Sequence, residues 1–88
     1  RGQYWRSAHF TLEYEAYLQL VVSKEWRDEL IRSNNLQIDT TIWYCPKDVP
    51  NWFYPPKSFI KYQSPNNSQL KFWMQQNGDT VYIYDLQL

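Results

Sequence analysis

At 88 residues the chain supplies one domain, and a domain of that size buries only about 60–65% of its unfolded surface. Nine basic and nine acidic side chains cancel, which speaks against a general nucleic-acid binder, because such proteins carry a basic stripe. The lone cysteine, Cys45, excludes an intrachain disulfide and a Cys-rich zinc site, and no apolar run approaches the ~20 residues that span a bilayer. Aromatic residues make up 19% of the chain. Each large ring can bury about 150–250 Å², so the rings are expected to supply much of the core that a short, disulfide-free chain otherwise lacks. The chain begins at Arg1 and not at Met, which leads to the expectation of a processed product whose signal peptide or membrane anchor has been removed.

Phe10 to Val22 alternates. Phe10, Leu12, Tyr14, Ala16, Leu18, Leu20 and Val22 fall on one side, and Thr11, Glu13, Glu15, Tyr17, Gln19 and Val21 on the other. Period two over this length predicts a half-buried strand with a bend near Ala16. The competing helix, with Phe10, Tyr14, Tyr17, Leu18 and Val21 on one face, fits the pattern less completely. Ser23 reads as an N-cap and Glu25 suits the positive helix end, so a helix is expected from Lys24 to about Ser33. Trp26, Leu30 and Ile31 would form its apolar stripe, Asp28 and Arg32 would pair on its wet side, and Asn34-Asn35 would stop it. Leu36 and Ile38 are expected to fold back onto the core.

Between Asp39 and Pro65 regularity fades. Thr40 to Tyr44 reads as a short strand, after which Pro46, Pro50, Pro55, Pro56 and Pro65 exclude long helices and central strands. The segment is too aromatic for a disordered linker and is read as an ordered loop, with an edge strand at Phe59 to Tyr62. Asn66-Asn67-Ser68 reads as a polar turn and also matches the Asn-x-Ser acceptor pattern.

The C-terminal hairpin is the most legible element. Asn77-Gly78 is the preferred pair for a two-residue type I′ turn. Pairing Gln76 with Asp79 then sets Met74 opposite Val81, Phe72 opposite Ile83 and Leu70 opposite Asp85. The other face pairs Gln75 with Thr80, Trp73 with Tyr82 and Lys71 with Tyr84. The expected fold is α+β: an antiparallel sheet of the long N-terminal strand and the C-terminal hairpin, packed against one short helix, with a long aromatic Pro-rich loop. Trp26 and Leu30 would cover Phe72 and Ile83. The whole chain, 1–88, is read as a single domain.

Chemistry-bearing patterns are sparse. His9 is the only histidine, and nothing in its spacing from Ser7, Ser23 or Cys45 suggests a nucleophile–base pair. The same scarcity speaks against a metal centre. Cys45 is read as a small buried hydrophobe, with Lys47 a weak source of thiol activation. Glu13 and Glu15 share a strand face and resemble a retaining-glycosidase pair only in spacing; a solvated face is the simpler reading. With Gly2 and Gly78 the only glycines, no phosphate-cradling loop exists. No cofactor is expected. The remaining signal is aromatic: Trp52, Phe53 and Tyr54, together with Trp73, Tyr82 and Tyr84, are read as a binding patch, since Trp and Tyr are common interface anchors.

Ser7-Ala8, the strand and helix through Leu36, Pro50-Asn51-Trp52-Phe53-Tyr54-Pro55 and Val81-Tyr82-Ile83-Tyr84-Asp85 together resemble a set of small exported bacterial proteins and lipoproteins of unknown function. That resemblance implies export, a compact α+β fold and no enzymatic activity, and supplies no catalytic residues. The expected function is therefore a non-enzymatic protein-binding module of the bacterial envelope, periplasmic or held by an N-terminal anchor, for example an immunity or inhibitor protein with a protein partner. The alternative is a carbohydrate or peptidoglycan binder that stacks its rings on sugars. A small hydrolase using Glu13 or Glu15 is a weaker third reading.

Overall fold

In the computed structural model, residues 2–6, 14–47 and 49–87 are described. They form one antiparallel six-stranded sheet and one helix, an α+β domain. The elements run β1 (Gly2–Arg6), β2 (Tyr14–Val21), α1 (Lys24–Ser33), β3 (Gln37–Ile38), β4 (Ile60–Ser64), β5 (Asn67–Met74) and β6 (Thr80–Gln87), and the sheet order is β1-β2-β6-β5-β4-β3. No helix among the described residues is long and apolar enough to cross a membrane.

The alternation after Tyr14 becomes β2, which runs antiparallel to β6 with Leu18 opposite Ile83 and Tyr17 opposite Tyr84. The predicted start of that strand, Phe10 to Glu13, lies outside the described residues. The apolar side was expected to be the buried one, yet Tyr17, from the opposite side, is fully buried. Both faces of this sheet are covered. β1 was not anticipated; it pairs along β2 from Gly2 opposite Leu20 to Arg6 opposite Ala16. A Cβ at Gly2 would run into the Gln19 carbonyl oxygen, so the close approach of β1 needs glycine there.

The hairpin register is as expected at every pair from Leu70–Asp85 to Met74–Val81. Its turn is not. Neither Asn77 nor Gly78 takes a positive φ, which a type I′ turn requires at both positions. The chain instead crosses in a longer loop closed where Gln75 N–H donates to the Thr80 carbonyl at 3.1 Å. Lengthening the loop equally on both arms leaves the register unchanged. Arg27 holds this loop from the helix, donating to the carbonyls of Gln75 (2.6 Å) and Gly78 (2.8 Å).

That clamp also sets the rotation of α1. Ser23 caps the helix, accepting from Trp26 N–H at 3.1 Å, and Asn35 ends it at φ 51°. With Arg27 facing the sheet, Leu30 and Ile31 pack on Phe72, Met74 and Val81, while Trp26 is turned to the flank and left 44% exposed. The expected cover of the sheet by Trp26 is thereby corrected: a polar residue holds the inward position that an apolar stripe was read to own. Arg32 pairs with Glu29 rather than Asp28.

Leu36 is buried as expected, but Ile38, on the short edge strand β3, is 62% exposed. Thr40 to Tyr44 joins no ladder, so the short strand read there is not formed. The expected strand at Phe59 to Tyr62 is β4, which lies between β3 and β5 rather than at an edge. Pro65 and Asn66 make the turn into β5, which already begins at Asn67.

Candidate functional site

Period two sends Lys71, Trp73, Tyr82 and Tyr84 to the sheet face away from the helix, where Tyr17 of β2 joins them. Large rings on an open face expose much apolar surface to water, and the Pro-rich loop removes it. Phe53 is buried edge-on against Tyr17 (5.0 Å between centroids), Tyr82 (5.3 Å) and Trp73 (5.7 Å). Trp43 lies edge-on to Trp73 at 4.9 Å and to Tyr84 at 5.2 Å. Trp5, Val49, Trp52, Phe59 and Leu86 complete the cluster. Edge-to-face pairs at these separations are the favoured aromatic geometry.

The six residues read as a binding patch therefore separate. Phe53, Trp73, Tyr82 and Tyr84 are buried, Trp52 is half-buried, and Tyr54 stands 81% exposed. Four of the six are core, so an open patch made of all six does not exist; the loop that was read as part of the patch is the cover of the rest.

The polar ends of the buried rings have partners. Tyr84 donates to Glu15 Oε2 at 2.7 Å, Tyr17 donates to the same oxygen at 3.4 Å, and Tyr82 accepts from Gln19 Nε2 at 3.0 Å. Burial, then the hydrogen bond and charge of Glu15, push the Tyr84 hydroxyl well above the ordinary tyrosine range. Glu15 thus anchors tyrosines, while Glu13, its partner in the hydrolase reading, lies outside the described residues, as do His9 and Ser7.

A second polar group sits where the loop leaves β3. Asp39, buried, accepts from Thr41 N–H (2.9 Å), Thr41 Oγ1 (2.6 Å) and Lys71 Nζ (2.9 Å), with Lys61 Nζ at 3.5 Å. Burial alone would raise its carboxyl, but the bonds from Lys71 and Thr41 and the Lys71 charge outweigh that and hold it well below the usual carboxylate range. Lys61 also donates to the Thr41 carbonyl. Asp39 in this way ties the first turn of the loop to β4 and β5.

Above this junction the loop leaves a pocket of about 340 Å³. Trp43, Phe53, Phe59 and Trp73 line it, Tyr54, Pro55 and Pro56 form one side, and Thr41, Cys45, Lys57 and Lys61 contribute the polar atoms. Thr41, Trp43 and Cys45 turn toward the pocket, whereas Ile42 and Tyr44 between them are 75% and 80% exposed. Side chains along this segment thus alternate between pocket and solvent, although it pairs with no strand. Cys45 is exposed, not the buried hydrophobe expected; proline on its C-terminal side and a solvent-facing loop keep it at the rim. Among the described residues no group of three or more His, Cys, Asp or Glu is placed to hold a metal ion.

Trp43, which lines the pocket, and the Asp39–Lys61–Lys71 cluster were not among the site residues expected from sequence. Lys71 carried the available signal, since it shares a face with Trp73 and so had to bring a charge to an aromatic surface. Compared with protein-family models, curated proteins and solved structures, the chain matches none.

Proposed function

We propose that this domain is a non-enzymatic protein-binding module whose contact point is the aromatic pocket of the Pro-rich loop. One observation carries the reading: a concave site walled by Trp43, Phe59 and Trp73 opens beside an exposed Tyr54. Its volume lies at the small end of the ~300–1,000 Å³ range of ligand pockets, a size suited to one anchoring side chain, and Trp and Tyr dominate the energetics of protein interfaces. An inhibitor or immunity protein of the bacterial envelope is the form this module takes in our reading.

Tyr54 offers a clean test because its exposed ring is not needed for the core. A tagged domain captures a partner from native envelope extracts, and the Tyr54→Ala variant, with an unchanged melting temperature, loses it; hydrogen exchange in the complex slows at Trp43 and Phe59. Equal capture by both proteins, or slowing elsewhere, sinks the reading. A second reading, sugar binding, is favoured by the free rings of Tyr44 and Tyr54. Glycan-array binding that disappears in Tyr54→Ala would select it over the first.

A further inference from the structure

We propose that the pocket selects an acidic peptide: a segment of the partner whose apolar side chain enters the pocket lined by Trp43, Phe59 and Trp73 while a neighbouring Asp or Glu carboxylate reaches Lys57 and Lys61. This rests on the binding-module reading and adds the chemistry of the partner.

Charge complementarity carries the inference. The residues lining the pocket include two lysines and no carboxylate. Lys61 is not an ordinary surface lysine: its side chain is only 10% exposed, and it shares Asp39 with Lys71, whose side chain is 14% exposed. Two ammonium groups thus face one carboxylate. Their other partners are the Thr41 carbonyl and the Gln63 side-chain amide, which are dipoles and carry no charge. The cluster is left with one net positive charge, and Lys61 brings it to the rim of the apolar site. Lys57 adds a second at the same rim, and among the described residues no carboxylate pairs with it. This local excess stands out in a chain whose formal charge is zero.

The same arrangement discriminates among guests. Aromatic walls alone would welcome a cation, but a cation here meets two ammonium groups. A neutral apolar side chain fills the walls and leaves the lysines hydrated. An apolar side chain flanked by a carboxylate satisfies both, and the partly desolvated setting strengthens the ion pair relative to open solvent.

The test uses three peptides on the full chain: acetyl-Asp-Trp-Asp-amide, its Asn-Trp-Asn isostere and its Lys-Trp-Lys counterpart. Binding is read from the indole N–H resonances of Trp43 and Trp73. At low salt the acidic peptide moves both and binds about tenfold more tightly than the Asn isostere, the effect of one charge-assisted hydrogen bond, and the Lys peptide binds least. The advantage shrinks at high salt. Lys57→Gln, at an exposed position, removes most of it without altering the melting temperature, and Lys61→Met, which keeps the stem, gives a second reading of the same charge. Equal affinity for the Asp and Asn peptides overturns the acidic preference and leaves the binding-module reading standing. No movement of either resonance with any peptide overturns both.

Discussion

On one face of the sheet a ten-residue helix sits over Phe72, Met74 and Val81, yet none of its own residues is buried. On the other, a stretch with almost no regular structure buries Phe53 and packs Trp43, Trp52 and Phe59 against four sheet aromatics. Regular structure therefore does not measure how firmly a face is covered. The helix touches through Leu30, Ile31 and the Arg27 clamp. The loop touches through whole rings, and its entry is fixed by the Asp39 ion cluster. The loop covers its face with whole rings, whereas the helix contributes two aliphatic side chains.

The sharpest test of that asymmetry compares one truncation on each face. Phe53→Ala is expected to lose about 3–5 kcal/mol, the usual range for deleting a buried ring, and to release the loop. Leu30→Ala, half-buried, is expected to lose about 1–1.5 kcal/mol, roughly half the burial of a leucine. Urea unfolding measures both, and equal losses would break the comparison.

Asp39→Asn comes next, at about 3 kcal/mol, because it leaves two mostly buried lysines without a counter-charge. The pH dependence has a definite sign. The folded carboxyl lies below its unfolded value of 3.8, so its contribution is present above that pH and drains away as pH falls below it. Melting temperatures taken down an acid series should drop more steeply for the wild type than for Asp39→Asn.

Tyr84→Phe is smaller, about 1.5–2 kcal/mol at neutral pH for the lost hydrogen bond to a charged group. Here the sign reverses. The folded hydroxyl titrates above its unfolded value of 10.0, so its contribution is intact below that pH and is lost as pH rises further. The wild type should destabilise in alkali more than Tyr84→Phe does. Ser23→Ala, on the helix face, should cost about 1 kcal/mol for the lost cap, seen as faster amide exchange in the first turn of α1 and little change near Trp43.

The sequence made the hairpin legible because two independent constraints agreed on it: period-two alternation and loop chemistry centred between Gln75 and Thr80. The turn type was misjudged without harm, since the register depends on the centre of the loop and not on its length. The helix ends were legible for a similar local reason, with Ser23 and Asn34-Asn35 carrying the signal in their own side chains. Rotation of the helix was not, because Arg27 turns inward only when the Gln75 and Gly78 carbonyls are there to receive it. Burial of the proposed aromatic patch was hidden for the same reason. Trp73, Tyr82 and Tyr84 announce a face, and whether that face is bare depends on where residues twenty or more positions away choose to lie. β1 escaped notice because five residues with one glycine carry little periodicity.

Both faces of this sheet are roofed, so among the described residues its two rims, β1 and β3, are the edges at which a further strand could pair. Along the outer rim of β4, the β3 segment pairs Gln37 and Ile38, and Asp39 N–H adds one last bond to the Lys61 carbonyl before the loop departs. So brief a strand is a poor template for an incoming chain, and shortness of this kind is one way that sheets resist edge-to-edge pairing. Among the described residues the five of β1 form the longer rim, and a longer edge strand is the better template for an added chain.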